Sequence, residues 1–210
     1  MASGWIGPSR ALWVSQRSSE LASEVERLRA GARSLALIDA ARERRAGRQV
    51  TEHPPFELGQ LLEDLNTHGV RYVVIGGVAM RFYDASRLTD DLDICYERSR
   101  DNCRALARAL VELDTHQRVP GAADEPLNKS RLVRATAIFF MLTTRLGWLD
   151  LLPIPNGTQG FDDLVQDADH YDLDGIPISV ASREALARMK RATGRPVDQK
   201  DLLWLESSHD

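Results

Sequence analysis

"IGGVAMRFYDASRLTDDLDICYE", residues 75–97, is the stretch on which the reading of the fold turns. The apolar, β-branched run RYVVI closes on Gly76–Gly77, and a second run, DDLDICYE, carries Asp91 and Asp93 one residue apart. Both runs read as strands, in which side chains alternate between faces. Asp91 and Asp93 then share a face, about 7 Å apart at Cα, while Leu92 and Ile94 point into the core. A one-residue slip would bury both carboxylates without partners, at several kcal/mol, so the pattern itself specifies register. Like charges this close repel, and a divalent ion relieves the repulsion. The spacing suits Mg²⁺, or the similar Mn²⁺, which takes a few carboxylates and completes its shell with waters and phosphate oxygens. The plainer alternative is surface charge, which a lone Asp-x-Asp often is.

A third acid lies further on. GWLDLLPIP sets Asp150 in the middle of an apolar strand, where a carboxylate is costly unless paired or metal-bound. If that strand neighbours the Asp91–Asp93 strand, three carboxylates converge and two cations about 4 Å apart become possible. Gly76 and Gly77 lack Cβ atoms, so the backbone can turn sharply there and its N–H groups can approach a phosphate, at the start of a helix expected over Val78–Ala85. A glycine pair at a strand end is also, more simply, a turn. No Ser-His-Asp or Cys-His arrangement is evident, and none of the five histidines has ligand spacing.

Outward from this centre the chain alternates helix and strand. Phe56–His68 reads as an amphipathic helix ended by Gly69, and Ser99–Leu113 as a second helix capped by Ser99. ATAIFFMLTTRLGWLDLLPIP reads as a hairpin turning at Arg145–Gly147, and HYDLDGIPISV as another turning at Asp174–Gly175. SREALARMKRATGRPVDQKDLLWLE gives two helices split at Gly194–Pro196. Lys190 falls at the edge of the apolar face of the first, so its stem can cross packed surface toward a cleft; equally, it can be a solvated lysine in a basic helix. Asp198 suits the first turn of the second helix by dipole alone. Arg195 reads either as a phosphate ligand or as a cap.

Upstream, residues 9–47 read as a helix with a stripe of Leu21, Val25, Leu28, Ala32 and Leu35, broken by Pro54–Pro55. This divides the chain into an N-terminal helical extension, 1–50, and a main domain, 51–210. Residues 1–48 hold nine arginines against five acids, so within a total charge of −4 the remainder carries −8. Such an arm suits an anionic partner such as nucleic acid, or the acidic body itself. A composition 43% hydrophobic and 28% charged is that of a globular protein, with no run long enough to span a membrane. Two cysteines without a CxxC indicate neither a disulfide framework nor a zinc site, and with no secretory signal evident a cytoplasmic location is expected.

The order of strand, Gly-Gly, short helix, Arg87-x-Thr89, Asp-x-Asp and a lone Asp on an apolar strand resembles the nucleotidyltransferase superfamily that includes DNA polymerase beta. RLTDDLDI, together with the tail LARMKRATGRPVDQKDLLWL, is similar to AbiEii-type toxins of type IV toxin–antitoxin systems in particular. The resemblance runs over residues 58–206 and leaves the N-terminal segment uncovered. It implies an α+β fold, a mixed sheet flanked by helices with C-terminal helices appended. It implies Asp91, Asp93 and Asp150 as metal ligands, with Asp150 also the base for an attacking hydroxyl. Gly76 and Gly77 would cradle the triphosphate of an NTP, Lys190 would meet its β- or γ-phosphate, and Arg87, Thr89, Arg195 and Asp201 would complete the nucleotide site. The implied reaction is NMP transfer to a hydroxyl acceptor, with RNA, in particular the acceptor end of tRNA, as acceptor and a cognate antitoxin as partner. Adenylylation of a protein or an aminoglycoside is the second enzymatic reading. A non-catalytic binding module is the third.

Overall fold

The computed structural model describes residues 54–118, 124–128 and 139–207. The helix expected over residues 9–47, and with it the separate unit 1–50, lies outside the described residues. In chain order the elements are α1 (Leu58–Thr67), β1 (Tyr72–Ile75), α2 (Gly76–Phe82), β2 (Asp91–Tyr96), α3 (Arg100–Glu112), β3 (His116–Gln117) and β4 (Glu125–Pro126). There follow β5 (Phe140–Thr144), β6 (Gly147–Leu152), α4 (Phe161–Leu164), β7 (Asp169–Leu173), β8 (Ile176–Val180), α5 (Arg183–Thr193) and α6 (Pro196–Ser207). Among the described residues the strands form one mixed sheet in the order β4-β3-β5-β6-β2-β1-β8-β7. The α+β architecture is the expected one. No helix among the described residues is long and apolar enough to cross a membrane.

The centre of the sheet is set by apolar alternation. Leu92 and Ile94 of β2, Leu149 and Leu151 of β6, and Leu142 of β5 are fully buried and hold one face to the core, together with Leu61, Leu62 and Leu65 of α1 and Leu106 of α3. β1 runs antiparallel to β2, whereas β2 with β6, and β1 with β8, are parallel. Both expected hairpins form: β5–β6 turns at Arg145–Leu146, and β7–β8 turns on Asp174 (φ +51°) and Gly175 (φ +89°). Two successive positive φ values match the right-handed twist of the flanking strands.

Helix ends follow side-chain chemistry. The hydroxyls of Ser99 and Ser182 accept from the N–H groups of Asn102 and Ala185, and Gly194, in the left-handed conformation at φ +63°, ends α5. One expectation is corrected here: α2 begins at Gly76 rather than Val78 and ends at Phe82 rather than Ala85. The chain turns from strand to helix on Gly76 itself, at φ +68°, where glycine meets no Cβ penalty. β3, β4 and α4 were not expected, being two to four residues long and too short for any periodicity to show.

Asn102 of α3 fastens the helix to the sheet. Its Oδ1 accepts from Arg71 N–H at 2.7 Å, while its Nδ2 donates to the carbonyls of Arg71 at 2.9 Å and Glu97 at 2.8 Å. The residue is almost fully buried, so these groups have little access to water once the amide is removed. Asn102→Ala is therefore expected to cost about 3 kcal/mol, read as a lower urea midpoint at constant m-value. A loss below about 1 kcal/mol would show that the freed backbone groups find other partners.

Candidate active site

The pairing of β2 with β6 sets Asp91 opposite Trp148 and Asp93 opposite Asp150. Partners in register project to the same side of a sheet, so Asp91, Asp93 and Asp150 share one face, opposite the core leucines. All three are largely withdrawn from solvent, Asp150 most of all at 3% exposure. Each buried carboxylate needs compensation. Asp91 Oδ1 accepts from the Thr89 hydroxyl at 2.9 Å, and Asp150 Oδ1 accepts from Arg118 Nη2 in an ion pair. The Arg118 guanidinium also lies 4.8 Å from the centre of the Trp148 ring. The register thus brings the acids to one face, but as their side chains stand no three His, Cys, Asp or Glu groups among the described residues are placed to hold a metal ion together.

Gly76 and Gly77 serve close approach in a way the sequence did not disclose. A Cβ on Gly76 would lie 2.0 Å from Asp93 Oδ2, and one on Gly77 would lie 2.6 Å from the Thr89 hydroxyl. The space that side chains at these two positions would take is filled by Asp93 and Thr89. The glycines let the β1–α2 turn nest against the acids. Beside it, Arg81, Ala85, Ser86, Arg87, Leu88 and Thr89 line an open recess of about 300 Å³.

The tail residues form a second polar cluster, between α5 and α6. Lys190 is buried, with Nζ 3.1 Å from Asp198 Oδ1 and 2.7 Å from Asp201 Oδ2. The solvated-lysine alternative is therefore overturned, and the amine is engaged by two carboxylates of the next helix. Asp198 is fully buried and also accepts from Thr193 at 2.7 Å and from Arg195, whose Nε and Nη2 grip it at 2.5 and 2.9 Å. Position at a helix start does not account for such a residue. Burial alone pushes its carboxyl up, yet the hydrogen bonds from Arg195 and Thr193 and the charges of Lys190 and Arg195 prevail, holding it well below the usual carboxylate range. Arg195 stands just before α6, its carbonyl accepting from Gln199 N–H at 3.0 Å, while its guanidinium forks onto Asp198.

The two clusters meet through one loop. Arg87 pairs with Asp201, and two residues later Thr89 donates to Asp91. The tail helices thereby moor the segment that holds the first acid of the face. Sequence reasoning missed Arg118, which sits in THQRVPG with no periodicity around it, and missed the depth of Asp198. A signal for the latter was present: Thr193, Arg195 and Lys190 all lie within one or two helical turns of it.

No protein family matches the sequence, and no curated protein does. The structure resembles the crystal structure of the lincosamide antibiotic adenylyltransferase LnuA with lincomycin bound, at a TM-score of 0.51 and 17% identity, covering 74% of this chain and 99% of that one. A solution structure of the antibiotic-resistance factor ANT(2″)-Ia aligns more loosely, at a TM-score of 0.44 and 17% identity over 73% of this chain and 82% of that one. At this identity the first likeness establishes the fold and nothing finer: the chain has the mixed-sheet α+β fold seen in LnuA.

Two outcomes follow from the geometry. Gly76→Ala should destabilise by about 1–3 kcal/mol through left-handed strain and collision with Asp93. Adding Asp93→Ala should recover part of that loss, so a double-mutant cycle read by thermal unfolding should show coupling of about 1 kcal/mol; strict additivity would mean that the turn shifts away from the carboxylate. For Asp198 the folded carboxyl lies below its unfolded value near 3.9, so its stabilisation is complete above that pH and is lost as pH falls below it. Asp198→Asn should hence be clearly less stable than wild type at pH 7, with the gap narrowing below about pH 4; a gap constant with pH would assign its cost to packing.

Proposed function

We propose that this protein is a metal-dependent nucleotidyltransferase that moves an NMP group from an NTP to an acceptor hydroxyl. The observation that carries the reading is the alignment of Asp93 with Asp150 across parallel strands, with Asp91 two residues away on the same face. Three carboxylates form an all-oxygen donor set of the kind hard divalent cations take, so Asp91, Asp93 and Asp150 are the residues that would hold Mg²⁺ or Mn²⁺. Bound there, the cations would supply charge neutralisation at the phosphates and a more acidic acceptor hydroxyl. The chain's own part is positioning, which is most of what phosphoryl transfer asks of a protein. In this reading Asp150 is the carboxylate that would receive the acceptor proton. Thr89 orients Asp91, and the Gly76–Gly77 turn holds Asp93 in place. Lys190, Asp198, Asp201 and Arg195, bonded to one another, act through Arg87 on the loop bearing Thr89 rather than on phosphate directly.

The fold of LnuA supports adenylyl transfer as a chemistry for this scaffold. For the acceptor, RNA, with the acceptor end of tRNA as the specific case, is favoured by the arginine-rich N-terminal sequence and by the recess beside Thr89 with Arg81 and Arg87 in its wall. Those arginines disfavour a cationic aminoglycoside. The AbiEii-like motifs extend this to a toxin whose partner is a cognate antitoxin.

Incubating the full chain with each labelled NTP, Mg²⁺ and total RNA should label the RNA. Asp93→Ala should reduce labelling by about 1,000-fold, a loss of several kcal/mol in transition-state stabilisation. Label appearing on protein or on an aminoglycoside instead would reassign the acceptor, and no label on any of them would leave a binding module. Growth arrest on expression, relieved by Asp93→Ala, tests the toxin reading; arrest that persists in the variant counts against it.

A further inference from the structure

Arg118 adjoins this face, and the nucleotidyl-transfer reading does not yet use it. Its N–H donates to the Met141 carbonyl at 2.8 Å, and Met141 pairs with Asp150, so Arg118, Met141, Asp150 and Asp93 lie along one row across the sheet. The side chain places Nη2 on Asp150, and the guanidinium lies over the ring of Trp148, two residues before Asp150 on the same strand. Yet Nε and Nη1, both shut off from solvent, make no hydrogen bond among the described residues, although the side chain is only 10% exposed. Buried donors without acceptors are uncommon and costly, and a guanidinium set over an aromatic ring with two N–H groups still to be met is suited to an oxyanion.

We propose that Arg118 is the polyphosphate-recognition residue of this site, its guanidinium presenting Nε and Nη1 to phosphate oxygens of a nucleoside triphosphate. The inference rests on the nucleotidyl-transfer reading and names the side chain that would take up the substrate's charge. Were a divalent cation held by Asp91, Asp93 and Asp150, it would compete with the guanidinium for the Asp150 carboxylate, since two cations on one carboxylate repel. Arg118 would then give up Asp150 and turn its whole fork to the anion. In this structure it is the counter-ion of the acid; with substrate it becomes the clamp on the phosphate. No covalent bond is made or broken by this exchange.

The test is equilibrium binding by calorimetry on the full chain, with inorganic tripolyphosphate and with ATP, each with Mg²⁺, and separately with Mn²⁺ alone. Arg118→Gln should weaken both polyphosphates at least tenfold, the size of one lost charge-assisted hydrogen bond. Arg118→Lys, which keeps the charge without the fork, should recover part of the loss. Mn²⁺ alone should bind Arg118→Gln as tightly as wild type or more tightly, because the competitor for Asp150 is gone. Unchanged polyphosphate affinity in Arg118→Gln would overturn the proposal. So would a loss of Mn²⁺ affinity in step with the anion, which marks a scaffold residue, or weakening of ATP but not tripolyphosphate, which marks a contact to the nucleoside. If wild type binds tripolyphosphate and Asp93→Ala does not, the transfer reading stands even when the Arg118 proposal falls. If wild type and Asp93→Ala alike fail to bind it, both fall.

Discussion

Two carboxylates placed side by side on neighbouring strands repel, and in a buried setting that repulsion is hard to offset without a positive charge close by. The pairing of Asp93 with Asp150 across parallel β2 and β6 imposes this situation at the centre of the sheet. The sequence keeps the arrangement because the alternative is worse. Leu92, Ile94, Leu149 and Leu151 are all fully buried on the opposite face, and any one-residue slip would exchange leucines for aspartates in the core. The hydrophobic pattern thus enforces an electrostatic strain that no pairwise preference between the acids would choose. The glycine turn beside them, the hydroxyl on Asp91 and the guanidinium on Asp150 are accommodations to that strain.

The tail cluster handles charge in a different way. Asp198 is enclosed by Lys190, Thr193 and Arg195, and Asp201 lies between Lys190 and Arg87. Removing one member of such a buried group leaves an uncompensated charge, whereas the intact group contributes less to stability than to a single defined geometry. Here the geometry it defines is the approach of α6 to the loop ahead of β2. Arg87 carries the constraint across, and Thr89 delivers it to Asp91 two residues later. A device far along the sequence therefore sets the rotamer of an acid near the middle of the chain.

Much of the fold was legible because it depends on local rules. A β-branched run ending in glycine, serine caps, an Asp-Gly hairpin and a glycine–proline break each have a mechanism confined to a few residues, and each produced the element expected. The convergence of the three acids was legible only conditionally, because strand adjacency is a long-range fact; the register of β2 on β6 supplies it. What stayed hidden was the neighbour of the glycines. A Gly-Gly pair says that no Cβ fits, but not which side chain lies against it. Lys190 was ambiguous for a related reason: a residue at the edge of an apolar helical face faces solvent or a partner helix according to where that partner sits, and α6 sits against it. Arg118 gave no signal, since β3 is two residues long and its meaning comes from Met141 and Asp150, more than twenty residues away.

Local consistency makes the exceptions informative. Over most of the described chain, burial, capping and pairing agree with one another, and the tail cluster satisfies its own charges. Several of the places where they disagree lie together: three acids withdrawn from water on one face, a glycine held at positive φ against one of them, and a guanidinium with two unmet donors on another. Strain scattered over a surface would point to imperfect packing. Strain gathered on one face of a sheet, reinforced from two helices away, is what a chain retains when the same groups are needed to meet a charged substrate.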